Sequence, residues 1–289
     1  MGKKYLIGAN TVHVSPEKLF EMGFEIAEVC LGGGNSYEER VEKVINDIHS
    51  IESIGKTYSV HLPVYVEDWY TYNFLDAFYI DEDEEKRELS IRLLELNLKK
   101  LSKFKTKYFV VHFPGINNNK YPEEEFEKYL QHGLREINRL AEKYNKYVLL
   151  EYFGSNVNFY EPKRWVAEIN KYKNIGLLTD TGHLSFSSIK HGFDYYEALD
   201  ILAEASTAFH IWTAKGKEYY DKSFCYKKNH HIIPRLYQTE EKGWAFDTIK
   251  ALDIIKKHKK PIIIEATPIY KGRQYYDDGL VELLEYVNK

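Results

Sequence analysis

Eight short apolar runs recur along the chain, each followed by a loop and a stretch of helical period, and this rhythm limits the fold more than any other feature. The runs are Tyr5–Ala9, Glu25–Leu31, Tyr58–Leu62, Tyr108–Phe113, Tyr147–Glu151, the stretch Ile175–Phe186 whose apolar part closes on Asp180, Thr181, Gly182 and His183, then Ala208–Trp212 and Pro261–Glu265. Helical signals fill the gaps. Ser15, Pro16 and Glu17 open a short helix, and Ser36–Ile54 carries Val41, Val44, Ile45, Ile48 and Ile51 at spacings of three and four. A long helix begins near Asp83, another follows Pro122, and shorter ones are expected around Trp165–Tyr172, Tyr195–Ala205, Phe246–Lys257 and Asp278–Val287. No linker or low-complexity segment interrupts the alternation, so residues 1–289 are expected to form one domain. An open doubly wound sheet would also alternate, but chemically active residues at nearly every strand end are what a closed barrel with one mouth predicts. The expected fold class is α/β, a single (β/α)8 TIM barrel with its site at the C-terminal mouth.

Composition narrows the function. At 289 residues, with 44% hydrophobic and 29% charged residues, the chain can bury a full core as one α/β barrel. A formal charge of -4 supplies no global attraction for nucleic acid. Two cysteines, Cys30 and Cys225, argue against a disulfide framework and for a reducing cytoplasm. The N-terminal apolar run is too short for a signal peptide, and no stretch approaches a membrane span. The expected location is the cytoplasm, with no membrane partner.

The strand ends carry the chemistry. In order they present His61, His112, Glu151, Asp180 with His183, His210 and Glu265, and the loop after the seventh strand adds His230 and His231. Imidazole nitrogens and carboxylate oxygens without a thiolate are the ligand set of zinc, manganese, iron or cobalt, with zinc the first choice. Any one strand-end histidine is more often a hydrogen-bonded core or surface residue than a ligand. Their joint placement argues for metal, because a carboxylate such as Glu151 or Glu265 in an apolar strand costs several kcal/mol, roughly, without a compensating partner. Three carboxylates nearly balance two divalent ions that share a hydroxide, and a third ion would need the imidazoles. Aromatic residues after the third and seventh strands could wall a sugar or a base, with core filling as the default. Lys215, Lys217 and Arg273 are candidates for a phosphate or a substrate oxygen. No Walker or GxGxxG pattern and no nucleophile elbow is present.

The segments IGAN, SVHLP, VVHFPG, LLEYFG, LTDTGH, FHIW and IIIEATP occur in that order across the whole chain. In this the chain resembles the xylose isomerase-like TIM barrels, which include sugar isomerases, sugar epimerases and endonuclease IV, the family 2 AP endonucleases. The resemblance implies a shared metal held by Glu151, Asp180, His210 and Glu265. The endonuclease IV branch further implies His61, His112, His183 and His231 as ligands of a trinuclear zinc cluster, giving one to three divalent ions per chain. Two positions depart from that branch: its Asp-x-His pair after the seventh strand reads Asn229, His230, His231, and its first-strand histidine is Asn10. The implied activity is isomerisation or epimerisation of a sugar or sugar phosphate, with Glu151 and Glu265 shuttling protons. The alternative is a phosphodiesterase that cuts abasic DNA, and DNA is a partner only under that alternative.

Overall fold

A computed structural model describes residues 5–73, 76–115, 119–154, 156–216 and 230–289. Eight strands follow chain order around a closed parallel barrel: β1 (Ile7–Asn10), β2 (Ile26–Cys30), β3 (Thr57–His61), β4 (Phe109–Phe113), β5 (Val148–Tyr152), β6 (Ile175–Asp180), β7 (Ser206–Ile211) and β8 (Ile262–Ile264). The helices among the described residues are α1 (Pro16–Glu21), α2 (Tyr37–Ser53), α3 (Glu84–Leu101), α4 (Glu123–Lys143), α5 (Pro162–Ile169), α6 (Thr181–His191), α7 (Tyr195–Ala205), α8 (Thr248–Lys256) and α9 (Gly272–Asn288). The expected (β/α)8 barrel is thus the observed fold. Its strands read as unbroken apolar runs because strands of a parallel barrel are covered on both faces.

The chain divides into two compact units, Met1–Glu28 with Thr179–Lys289, and Val29–Leu178. In the first, β1 pairs with the start of β2 and with β8, and β7 pairs with β8. Its core is built from Ile7, Ala9, Phe209, Ile211 and Ile262–Ile264 beneath Leu199, Leu202, Leu252, Leu280 and Leu283, all buried. In the second, β3 to β6 pair in order, and the β4–β5 register sets His112 opposite Glu151. There Ile48 and Ile51 of α2, Leu94, Leu98 and Leu101 of α3, and Leu130, Leu134 and Ile137 of α4 turn inward, as their spacing predicts. An aromatic nucleus joins them: Trp165 stacks on Phe159 at 4.7 Å between ring centroids and donates its indole N–H to the Phe159 carbonyl.

Local sequence explains the element boundaries. Ser36 caps α2 by accepting from the Glu39 backbone N–H, and Glu123, Glu124 and Glu125 place negative charge at the positive end of α4. Two helices differ from expectation. The segment after Asp180 is helical from Thr181, with Asp180 as its N-cap and Gly192 as its left-handed stop at φ 76°; its Thr, Gly and Ser content conceals the helix from propensity. The last helix starts at Gly272 rather than near Asp278, because its first turn is polar and ion-paired through Arg273 and Asp277 and shows no apolar period. No helix among the described residues is long and apolar enough to cross a membrane.

Candidate metal centre

In the Val29–Leu178 unit, His61 ends β3, His112 lies on β4 and Glu151 on β5. His61 Nε2 stands 3.0 Å from Glu151 Oε2, and its Nδ1 lies 3.1 Å from the Leu62 carbonyl. His112 Nε2 is 3.6 Å from the same Glu151 oxygen, and the two imidazoles meet edge to face at 4.8 Å. Ligand atoms of the three all lie within 4.8 Å of one another. Glu151 is fully buried, whereas His112 keeps about a fifth of its side chain exposed. Beside His112 a small cavity of about 30 Å³ is lined by Leu62, Tyr70, Asp76, Tyr79 and Asn97.

The other unit gathers Asp180 from the end of β6, His210 from β7 and Glu265 one residue beyond β8. Their ligand atoms also lie within 4.8 Å of one another. His210 Nδ1 faces both acids, 3.2 Å from Glu265 Oε2 and 3.9 Å from Asp180 Oδ2. Glu28 of β2 stands on the opposite side of the ring, Oε1 to Nε2 at 2.9 Å, and both residues are wholly buried. Three carboxylates around one buried imidazole make a site whose charge favours a cation. Oxygen and nitrogen donors without sulfur fit a divalent ion of the zinc or manganese type.

His183 and His231 lie on the rim of this group. His183 is in the first turn of α6, and His231 Nε2 is 3.8 Å from Glu265 Oε2. Their rings are 6.1 Å apart, and among the described residues neither joins a set of three ligand atoms. His231 sits at φ 49°, a left-handed conformation uncommon outside glycine. Its neighbour Ile232 exchanges backbone hydrogen bonds with Thr213, and its own carbonyl accepts from the Thr267 N–H. Asn229, Lys217 and Cys225 lie outside the described residues. Lys215 places its ammonium over the Trp244 ring at 3.9 Å, and Arg273 pairs with Asp277 at 2.8 Å, so both basic side chains already have intramolecular partners.

The sequence matches the Xylose isomerase-like TIM barrel family over residues 16–286. The chain belongs to this family. Solved structures resembling this xylose isomerase-like barrel include 3-keto-D-glucoside 4-epimerase YcjR from E. coli, at a TM-score of 0.65 and 16% identity, covering 98% of this chain and 100% of that one. The IOLI protein with a binding zinc atom aligns at 0.62 and 16% identity, covering 99% and 96%. D-psicose 3-epimerase in the presence of D-fructose aligns at 0.57 and 15% identity, covering 96% and 90%. No curated protein sequence matches the chain.

Two residues of this family member's site went unmarked in its sequence. Glu28 is a lone acid inside the apolar run of β2, the same signal that marks Glu151 in β5. Trp212 reads as the aromatic that closes the seventh apolar run; it is fully buried and its indole N–H donates to Asp180 Oδ2 at 2.7 Å. A carboxylate–indole bond between residues 32 positions apart leaves no local trace.

Proposed function

We propose that the protein is a divalent-metal-dependent isomerase or epimerase of a sugar or sugar phosphate. Asp180, His210 and Glu265, at the carboxyl ends of β6, β7 and β8, are the proposed ligands of the ion, with zinc the first choice. The observation carrying this reading is the convergence of Asp180, His210 and Glu265 within 4.8 Å in a chain of the xylose isomerase-like family. Likeness to 3-keto-D-glucoside 4-epimerase and to D-psicose 3-epimerase supports the sugar class.

A bound divalent ion supplies Lewis acidity at a sugar carbonyl or hydroxyl. Glu265, partly exposed beside His210 and His231, and Glu151, beside His61 and His112, are assigned the proton transfers on carbons next to that carbonyl. The burial of Glu151 keeps water from its carboxylate.

A second reading, endonuclease IV-like cleavage of abasic DNA by two or three zinc ions, is favoured by one observation, the His61, His112 and Glu151 group. Elemental analysis of the purified protein and assays on both substrates separate the two. About one ion per chain with epimerisation or isomerisation of free sugars, lost in Glu265→Gln, is the expected result. Two or three zinc ions with cleavage of an abasic duplex would replace the first reading by the second.

A further inference from the structure

All four residues of the Asp180-Thr181-Gly182-His183 turn meet one residue, Trp212. Asp180 Oδ2 accepts the indole N–H at 2.7 Å. The Thr181 hydroxyl donates to the Trp212 carbonyl at 3.0 Å and accepts from its backbone N–H at 3.2 Å. A Cβ on Gly182 would come within 2.2 Å of the indole ring, so only glycine lets the first turn of α6 lie against it. The His183 ring meets the indole edge to face at 5.3 Å. On the same residue, His231 stacks at 4.1 Å between centroids and 28° between planes.

Asp180 is fully buried, and its other oxygen, Oδ1, accepts the His183 backbone N–H at 2.6 Å. Two neutral donors therefore fix the plane of the carboxylate without cancelling its charge. A carboxylate held this way offers its remaining lone pairs in a preset direction, and partners of this kind commonly govern metal affinity. Stacking of His231, whose backbone is left-handed at φ 49°, places a second potential donor against the same indole.

We infer that Trp212 is a positioning residue for divalent-cation binding, aiming Asp180 through its indole N–H and His231 through its ring face. The inference rests on the proposed metal site, and the test distinguishes the two. Trp212→Phe keeps a ring for His231 and removes the N–H. Zinc binding is measured by titration calorimetry on wild type and variant, with circular dichroism confirming that the variant is folded. The expected loss of affinity is about 10-fold or more.

The sequence contains four tryptophans, so the indole N–H region of a proton–nitrogen correlation spectrum assigns Trp212 by its disappearance in Trp212→Phe. On addition of zinc to the wild type, the Trp212 resonance is expected to shift more than the other three. Equal zinc affinity of wild type and a folded Trp212→Phe overturns the inference and leaves the metal site standing. Should Trp212→Phe not fold, the resonance can be assigned through Trp212→Tyr, and a Trp212 signal unmoved by saturating zinc overturns the inference. Absence of zinc binding by the wild type itself removes both the proposed site and the inference.

Discussion

At the scale of single residues, the site depends on how far each side chain's direction is fixed by its neighbours. His210 shows this most fully: a buried imidazole with Glu28 at one nitrogen and Asp180 and Glu265 facing the other. The ligand types were legible because a lone charged residue in an apolar strand is costly unless it has work or a partner. By the same criterion Glu28, inside IAEVC, was legible too. Which nitrogen of His210 faces which acid was not, since that follows from strand pairing. Gly182 gives a direct check on local packing. Gly182→Ala forces a methyl into the Trp212 ring, and overpacking of this kind costs about 1–3 kcal/mol. Chemical denaturation should show a lower midpoint with an unchanged slope, and an unchanged midpoint would mean the indole moves aside freely.

At the scale of elements, periodicity located most helices, and the exceptions share a cause. The helices α6 and α9 begin with turns held by caps and ion pairs rather than by an apolar stripe, so hydrophobic period is silent there. The join of α2, β3 and the segment before β4 is likewise polar. Glu52 of α2 accepts from the Tyr58 hydroxyl of β3 at 2.6 Å and from the Lys105 N–H at 2.7 Å. Burial pushes the Glu52 carboxyl up, but the hydrogen bonds from Tyr58 and Lys105 outweigh it and hold the group below its ordinary value of 4.5. A carboxyl depressed in the folded state binds fewer protons than in the unfolded chain. Its contribution is therefore complete above pH 4.5 and is lost as pH falls through the folded value. Unfolding titrations at neutral and acid pH should show a smaller acid loss of stability in Glu52→Gln than in wild type. An equal loss in both would assign the acid sensitivity elsewhere.

For the whole molecule, the closed strand order has a thermodynamic consequence. A parallel barrel closes only when all eight strands are present, and an unclosed half exposes sheet edges. We therefore expect residues 1–289 to behave as one domain. Calorimetry should show one unfolding transition with equal calorimetric and van't Hoff enthalpies, and two resolved transitions would mean that the compact units unfold separately. A divalent ion that binds the folded state alone adds about 2.7 kcal/mol of stability at a free concentration of 100 times its dissociation constant. Zinc should accordingly raise the melting temperature and a chelator should reverse the rise, whereas identical melting with and without zinc would argue against a site formed by folding. Taken alone, the sequence determined the eight-fold β/α alternation, the ligand-type residues at the strand ends and the family, because burial imposes period and an acid in an apolar run is conspicuous. Only the tertiary structure decided that Glu28 backs His210 and that the Trp212 indole donates to Asp180. Those contacts join residues far apart in the chain, and their direction is set by strand register and packing rather than by any local pattern.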